Sequence, residues 1–193
     1  DFTVAEAAIE HLRTAVSRRA AIVIGTTGFS AAQRTEAEQI AHKTRALIAP
    51  NMSIGVNVLL KVVADVARIL QDGFDPEIVE IHHRFKVDAP SGTALALGRA
   101  IATAQGKDFE QQTALARQGI TGQRPTEQIG IMALRGGDVV GDHTVIFAGF
   151  GERLELTHRA QSRECLARGA LRAALWLPQQ PPGLYSMKEV LGL

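Results

Sequence analysis

Two imidazoles, a guanidinium and an ammonium fall within five consecutive positions, at His82, His83, Arg84 and Lys86, and the turn Pro90-Ser91-Gly92-Thr93 follows closely. Imidazole titrates near neutrality, so it is the side chain best suited to give or take a proton at physiological pH. Lys86 adds a fixed positive charge. Ser91, Gly92 and Thr93 stand where a helix begins, and the first backbone N–H groups of a helix lack intrahelical partners and favour anions. Gly92 lets a ligand approach the backbone, while Ser91 and Thr93 each bring a hydroxyl. These residue types in this order suit a site that grips a small carboxylate and moves a proton beside it. The plainer alternatives are that Ser91 only caps the helix and that the adjacent histidines are structural.

The elements that position these groups can be read around them. Alternation over residues 77–85 reads as a strand, and 91–104 as a helix. In a regular strand His82, Arg84 and Lys86 share one face, His83 and Phe85 take the other, and His82 to Lys86 spans roughly 13 Å. His82 and Lys86 therefore meet one small molecule only if the strand ends or bends between them, and Pro90 and Gly92 make a bend plausible. A metal centre recruiting His82, His83, His143 and His158 is the poorer reading, because Lys86 and Arg84 repel a cation. No metal is expected.

A second cluster lies nearer the start of the chain. Residues 20–24 are an apolar run that closes in Gly25-Thr26-Thr27-Gly28. Ser30 and Gln33 have capping-box spacing and open a helix to about 44. Residues 46–49 form the next buried strand, ending at Ala49-Pro50-Asn51-Met52. Strand–helix–strand order suggests parallel α/β packing, in which ligands sit at the carboxyl ends of the strands. Gly25, Thr26 and Thr27, with Ala49, Pro50, Asn51 and Met52, border such an edge. Glycine and threonine are also ordinary strand-to-helix turn residues, and no G-x-G-x-x-G occurs in the chain.

Helical periodicity also marks 4–17, 54–70 and 164–177, and a short helix spans 186–191. Residues 178–183 read as a break. A long connection runs through Gly119, Gly122 and Pro125. Apolar alternation over 129–134, 139–148 and 153–160, separated by glycine turns, predicts an antiparallel meander, with residues 135–143 as a polar turn between its first two strands.

The composition excludes several classes. A net charge of +1 from 21 Lys and Arg against 20 Asp and Glu gives no broad reason to expect nucleic acid. No apolar run is long enough to span a bilayer, and no signal-peptide pattern opens the chain. The single cysteine, Cys165, excludes an internal disulfide and reads as a buried, inert helical residue. A cytoplasmic protein is the default.

Taken in order, residues 24–29, 49–57, 80–95, 134–143, 151–158 and 183–191 resemble the 4-hydroxy-tetrahydrodipicolinate reductase (dihydrodipicolinate reductase) family of lysine and diaminopimelate synthesis. The run from His82 to Thr93 is highly specific to that family. The resemblance implies an α/β fold, with a partial Rossmann-like dinucleotide-binding domain over 1–53 and 164–193. It implies an α+β substrate and tetramerisation domain with a mixed sheet over 54–163. It further implies His82 as proton donor and acceptor, Lys86 as the second catalytic residue, and His83, Ser91, Gly92 and Thr93 against a dicarboxylate substrate. Gly25, Thr26, Thr27 and Ala49 to Met52 match contacts to NADH or NADPH. A homotetramer built through the substrate-domain sheet is expected, as are roughly seventy preceding residues carrying the phosphate-binding turn, taking a βαβ unit as about thirty residues. The alternatives are a non-catalytic dicarboxylate-binding, tetramer-forming module and, more remotely, a metal-dependent hydrolase.

Overall fold

The computed structural model describes residues 1–193, the side chain of Asp72 excepted. In chain order the elements are α1 (Ala5–Arg18), β1 (Ile22–Ile24), α2 (Ala31–Ala41), β2 (Arg45–Ile48), α3 (Ile54–Leu70), β3 (Asp75–His82) and α4 (Gly92–Gln105). There follow α5 (Phe109–Gln112), β4 (Thr113–Ala114), β5 (Ile129–Arg135), β6 (Gly141–Ala148), β7 (Arg153–Ala160), α6 (Glu164–Trp176), β8 (Gly183–Tyr185) and α7 (Met187–Leu191). They form two compact units, Asp1–Asn57 with Glu164–Leu193, and Val58–Arg163.

The first unit is built on a parallel sheet in the order β1-β2-β8. Because β2 is buried on both faces beyond Arg45, residues 46–48 are a continuous apolar run rather than an alternating one. Ala46 and Ile48 face Ala8 and Leu12 of α1 and Ala37 and Ala41 of α2. Leu47 and Ala49 face Ala173 of α6, Leu177, and Met187 and Val190 of α7. A wholly buried leucine such as Leu47 contributes roughly 2 kcal/mol through removal of apolar surface from water. Gly169 on α6 is required by a close approach: a Cβ there would lie 1.8 Å from the Met52 carbonyl oxygen. The capping box at Ser30 and Gln33 is present with both hydrogen bonds. The short strand β8 begins at the last residue of the break read over 178–183 and occupies the gap before the helix expected from 186. Three residues are too few for alternation to register, and the pairing with β2 defines the strand. Cys165 is partly exposed on α6, not buried as its helical neighbours imply.

The second unit is a mixed five-stranded sheet in the order β4-β5-β3-β6-β7, with α3 and α4 on one face. Leu59, Val63 and Ala67 of α3 and Ala94, Leu97 and Ile101 of α4 close over Ile78, Ile129, Ile131, Val145 and Phe147. Alternation turns Val79, Ile81, Met132, Leu134 and Ile146 to the opposite face, where Leu134 is 49% exposed. On that face Arg117 and Arg124 of the long connection both bind the Glu77 carboxylate, at 2.7 and 2.8 Å.

The meander expectation is corrected. β5 runs parallel to β3, and β3 lies between β5 and β6, which pairs with it antiparallel. The physical reason lies in residues 136–137. Gly136 N–H donates to the His82 carbonyl (3.0 Å) and Arg84 N–H donates to the Gly137 carbonyl (3.2 Å). That turn therefore caps the end of β3 instead of folding β5 back onto β6. Only β6 and β7, among the described residues, form a hairpin, its turn passing through Gly151 at φ +83°. Among the described residues no helix is long and apolar enough to cross a membrane.

Candidate active site

β3 ends at His82 rather than continuing to residue 85. Residues 83–86 form a turn closed by Lys86 N–H on the His83 carbonyl (3.1 Å), so the polypeptide bends between the histidine and the lysine. Glu80 and His82, two positions apart, share the face of β3 that looks toward α4. Glu80 is 0% exposed. Its Oε2 lies 2.5 Å from His82 Nδ1, Arg135 at the end of β5 donates to both carboxylate oxygens (2.8 and 2.9 Å), and Ser91 N–H donates to Oε1 (3.0 Å).

Burial alone would raise the Glu80 carboxyl, but the hydrogen bonds from Arg135, His82 and Ser91 outweigh it and hold the group below the ordinary glutamate value. An ionised carboxylate only accepts, so Nδ1 of His82 carries the hydrogen and Nε2 is the nitrogen left for other chemistry. Space around Nε2 depends on Gly141, where a Cβ would approach it to 2.9 Å. Arg135 is itself fixed, donating to the carbonyls of Leu134 (2.6 Å) and Asp88 (2.7 Å). Lys86 Nζ donates to Asp88 Oδ1 at 2.8 Å.

Ser91 is the N-cap of α4: its Oγ accepts from Ala94 N–H (3.2 Å) and shares a hydrogen bond with His143 Nε2 (3.0 Å). His143, on β6, packs edge-on against His82 with ring centroids 5.1 Å apart. Burial, reinforced by the neighbouring His82, pushes His143 down to about 4, so it is neutral at pH 7. His158 faces it across the β6–β7 pair and is likewise lowered, first by burial. Gly92 is exposed at the start of α4, and a Cβ there meets no atom within 4 Å. His83 lies beside Phe85, with centroids 6.3 Å apart, and its Nδ1 is buried without a protein hydrogen-bond partner. Among the described residues no group of three or more His, Cys, Asp or Glu could hold a metal ion.

One carboxylate thus ties His82 to the start of α4, where Ser91, Gly92 and Thr93 follow in sequence. Sequence reasoning gave no role to Glu80 or Arg135, and considered His143 only as a possible metal ligand. A signal for Glu80 was available, since it is the acid in the otherwise apolar inward set Pro76, Ile78, Glu80. Arg135 and His143 carried no such signal, because their roles depend on β3 lying between β5 and β6.

In the first unit, the loops after β1 and β2 lie side by side, with Ile24 in register with Ile48 and Ala49 N–H donating to the Ile24 carbonyl (3.0 Å). Thr27 and Pro50 are exposed there, and Asn51 is half-buried. Thr26 is buried, its hydroxyl donating to Asp1 (2.7 Å) and accepting from Thr3 N–H (3.1 Å). Gly25 makes room for Phe2, whose ring would lie 2.2 Å from a Cβ. Met52 packs into the core with Leu47 and Leu177. At this edge Thr27 and Pro50 are open to a ligand and Asn51 partly so, whereas Thr26 and Met52 are turned into the protein.

The family model described as dihydrodipicolinate reductase, N-terminus, matches residues 1–52, and the one described as dihydrodipicolinate reductase, C-terminus, matches 55–191. The chain belongs to the dihydrodipicolinate reductase family. The 4-hydroxy-tetrahydrodipicolinate reductase of Syntrophobacter fumaroxidans is 58% identical over 193 residues, covering all of this chain and 72% of that protein. That of Anaeromyxobacter dehalogenans is 54% identical with the same coverage. A solved structure of dipicolinate-bound dihydrodipicolinate reductase from Paenisporosarcina sp. TG-14 aligns with a TM-score of 0.73 at 26% identity, over 98% of this chain and 71% of that one. Its match over both units agrees with the α/β fold expected from the family resemblance.

Proposed function

We propose that this protein reduces 4-hydroxy-tetrahydrodipicolinate to tetrahydrodipicolinate in lysine and diaminopimelate biosynthesis, with NADH or NADPH as hydride source. The observation that carries this reading is the joint hold of Glu80 on His82 Nδ1 and on Ser91 N–H. It sets a proton-bearing imidazole beside a helix start suited to a carboxylate. The relative described as dipicolinate-bound supports a planar dicarboxylate ligand.

In the proposed mechanism, Gly92 and Thr93 at the start of α4, with Ser91 as its cap, hold one substrate carboxylate, and Lys86 neutralises its charge. His83 contacts the substrate through its ring. The nicotinamide, when bound beside Gly25, Thr26, Thr27 and Ala49 to Met52, supplies a hydride to the dehydrated ring. His82, as the imidazolium with its Nδ1–H held by Glu80, delivers the accompanying proton from Nε2 and is left neutral with its hydrogen on Nδ1, and water is lost in forming the dehydrated ring. The first unit serves the dinucleotide and the second serves substrate and assembly. The apolar face bearing Val79, Ile81, Met132, Leu134 and Ile146 suits a homotetramer interface, since exposed apolar sheet faces seek cover. Met132→Asp should then shift the sedimentation profile toward smaller species. The enzyme so proposed is cytoplasmic.

The deciding experiment is NAD(P)H oxidation with freshly generated 4-hydroxy-tetrahydrodipicolinate, by a chain extended to the full length of its curated relatives. Turnover supports the reductase reading. Dipicolinate binding without hydride transfer would reduce the protein to a dicarboxylate-binding module.

A further inference from the structure

We infer that Glu80, clamped by Arg135, is the positioning residue of the proton-transfer step: it sets the tautomer and angle of the His82 imidazole and locks them to the start of α4. This rests on the reductase reading and deepens it.

Four donors converge on the two carboxylate oxygens. His82 Nδ1 and one Arg135 nitrogen meet Oε2; the other Arg135 nitrogen and Ser91 N–H meet Oε1. A group wholly removed from solvent and saturated with donors has little freedom to rotate, so the imidazole it holds is fixed to the same degree. A histidine whose Nδ1–H is held by a carboxylate presents Nε2 to its reaction partner in a defined tautomer, the arrangement that serves general acid–base catalysis in histidine–carboxylate pairs. The bond to Ser91 N–H adds a second constraint. The imidazole and the backbone that caps α4 answer to one carboxylate, which relates the proton donor to the carboxylate cradle.

Other groups around the pair do not compete for this role. His143 on β6 packs edge-on against His82 and is hydrogen-bonded to Ser91. His158 on β7 lies behind His143, and Lys86 and Asp88 on the loop pair with one another. Among the described residues, Glu80 is the carboxylate that bonds the His82 ring.

Glutamine at this position keeps the shape but cannot accept from every donor. Its carbonyl oxygen can serve Ser91 N–H or His82 Nδ1–H, and its NH2 then faces a donor. The test is Glu80→Gln in the full-length reductase, with kcat, KM and their pH profiles measured beside wild type. We expect kcat to fall by about 100-fold, a size typical of general acid–base contributions, with substrate KM within about threefold. Loss of the negative partner should also move the alkaline limb of the kcat profile to lower pH by at least about half a unit. An unchanged kcat, or a loss of activity with an unmoved pH profile, overturns the inference.

¹⁵N spectra of the His82 ring in the wild-type protein give a readout independent of whether the variant folds. The neutral ring should carry its hydrogen on Nδ1; hydrogen on Nε2 overturns the inference. Failure of the reductase reading is separately visible as wild-type protein that transfers no hydride.

Discussion

Glu80 Oε2 and His82 Nδ1 lie 2.5 Å apart on one face of β3, and the carboxylate is shut away from solvent while the imidazole stands at the strand's open end. That division separates anchoring from chemistry. His82→Gln should therefore lower kcat by about 10² to 10⁴, the range for removing a general acid, and leave substrate KM within a few-fold. Steady-state kinetics with wild-type turnover would contradict the assignment of the proton to this ring.

Lys86 behaves differently. Its ammonium is paired with Asp88 and sits on the turn between His82 and α4. Lys86→Ala should raise substrate KM by about tenfold or more, as expected for loss of a charge-assisted contact, and lower kcat as well. A variant with altered kcat but unchanged KM would remove the lysine from carboxylate binding.

Gly141 supplies a probe that leaves every polar group intact. A methyl there meets His82 Nε2 at 2.9 Å, closer than ordinary contact allows. Gly141→Ala should reduce kcat by about tenfold or more by tilting the ring. Melting temperature and dipicolinate affinity should change much less, and calorimetry with titration of the ligand would separate the two effects.

Arg135 is the counter-ion of a wholly buried carboxylate. Arg135→Met leaves Glu80 with its charge largely uncompensated, a situation that costs about 3 kcal/mol in buried pairs. Because Arg135 keeps some solvent contact, about 2 kcal/mol is the expected loss. Urea denaturation would show it as a lower midpoint with an unchanged slope.

His143 predicts a pH dependence of stability. Its value in the folded protein is about 4, against an ordinary 6.5. Below pH 6.5 the unfolded chain takes up a proton that the folded one refuses, so stability falls as pH drops from about 6.5 to about 4, by roughly 3 kcal/mol at most. His158 is lowered too and acts with the same sign. Glu77 and Glu80 are held low, so their contribution is present above the ordinary glutamate value and is lost only at more acidic pH. Thermal melts between pH 7 and 5 should decline for wild type and decline less for His143→Gln. A flat wild-type curve would contradict the burial of a neutral imidazole.

Local pattern carried the reading of the sequence far, and topology marked where it stopped. The capping box at Ser30, the cap at Ser91 and the amphipathic stripe of α3 are encoded within a few residues, so they were legible. The insertion of β3 between β5 and β6 was not, because glycines at 136 and 137 look the same whether they close a hairpin or cap a neighbouring strand. His82, Lys86 and the Ser91 turn were readable because they are contiguous. Arg135 and His143 were hidden because they reach Glu80 and Ser91 from 55 and 52 residues away. β8 was hidden because its identity lies in its partner β2.

The central place of β3 bears on how the protein is made. β3 leaves the ribosome before either of its neighbours exists, and each pairing must close a long loop of chain, which is entropically slow. Until β5 and β6 arrive, Glu80 has neither Arg135 beside it nor a sheet to shield it, and it remains a solvated side chain. The nascent polypeptide therefore lacks the assembled site until β5 and β6 have joined β3.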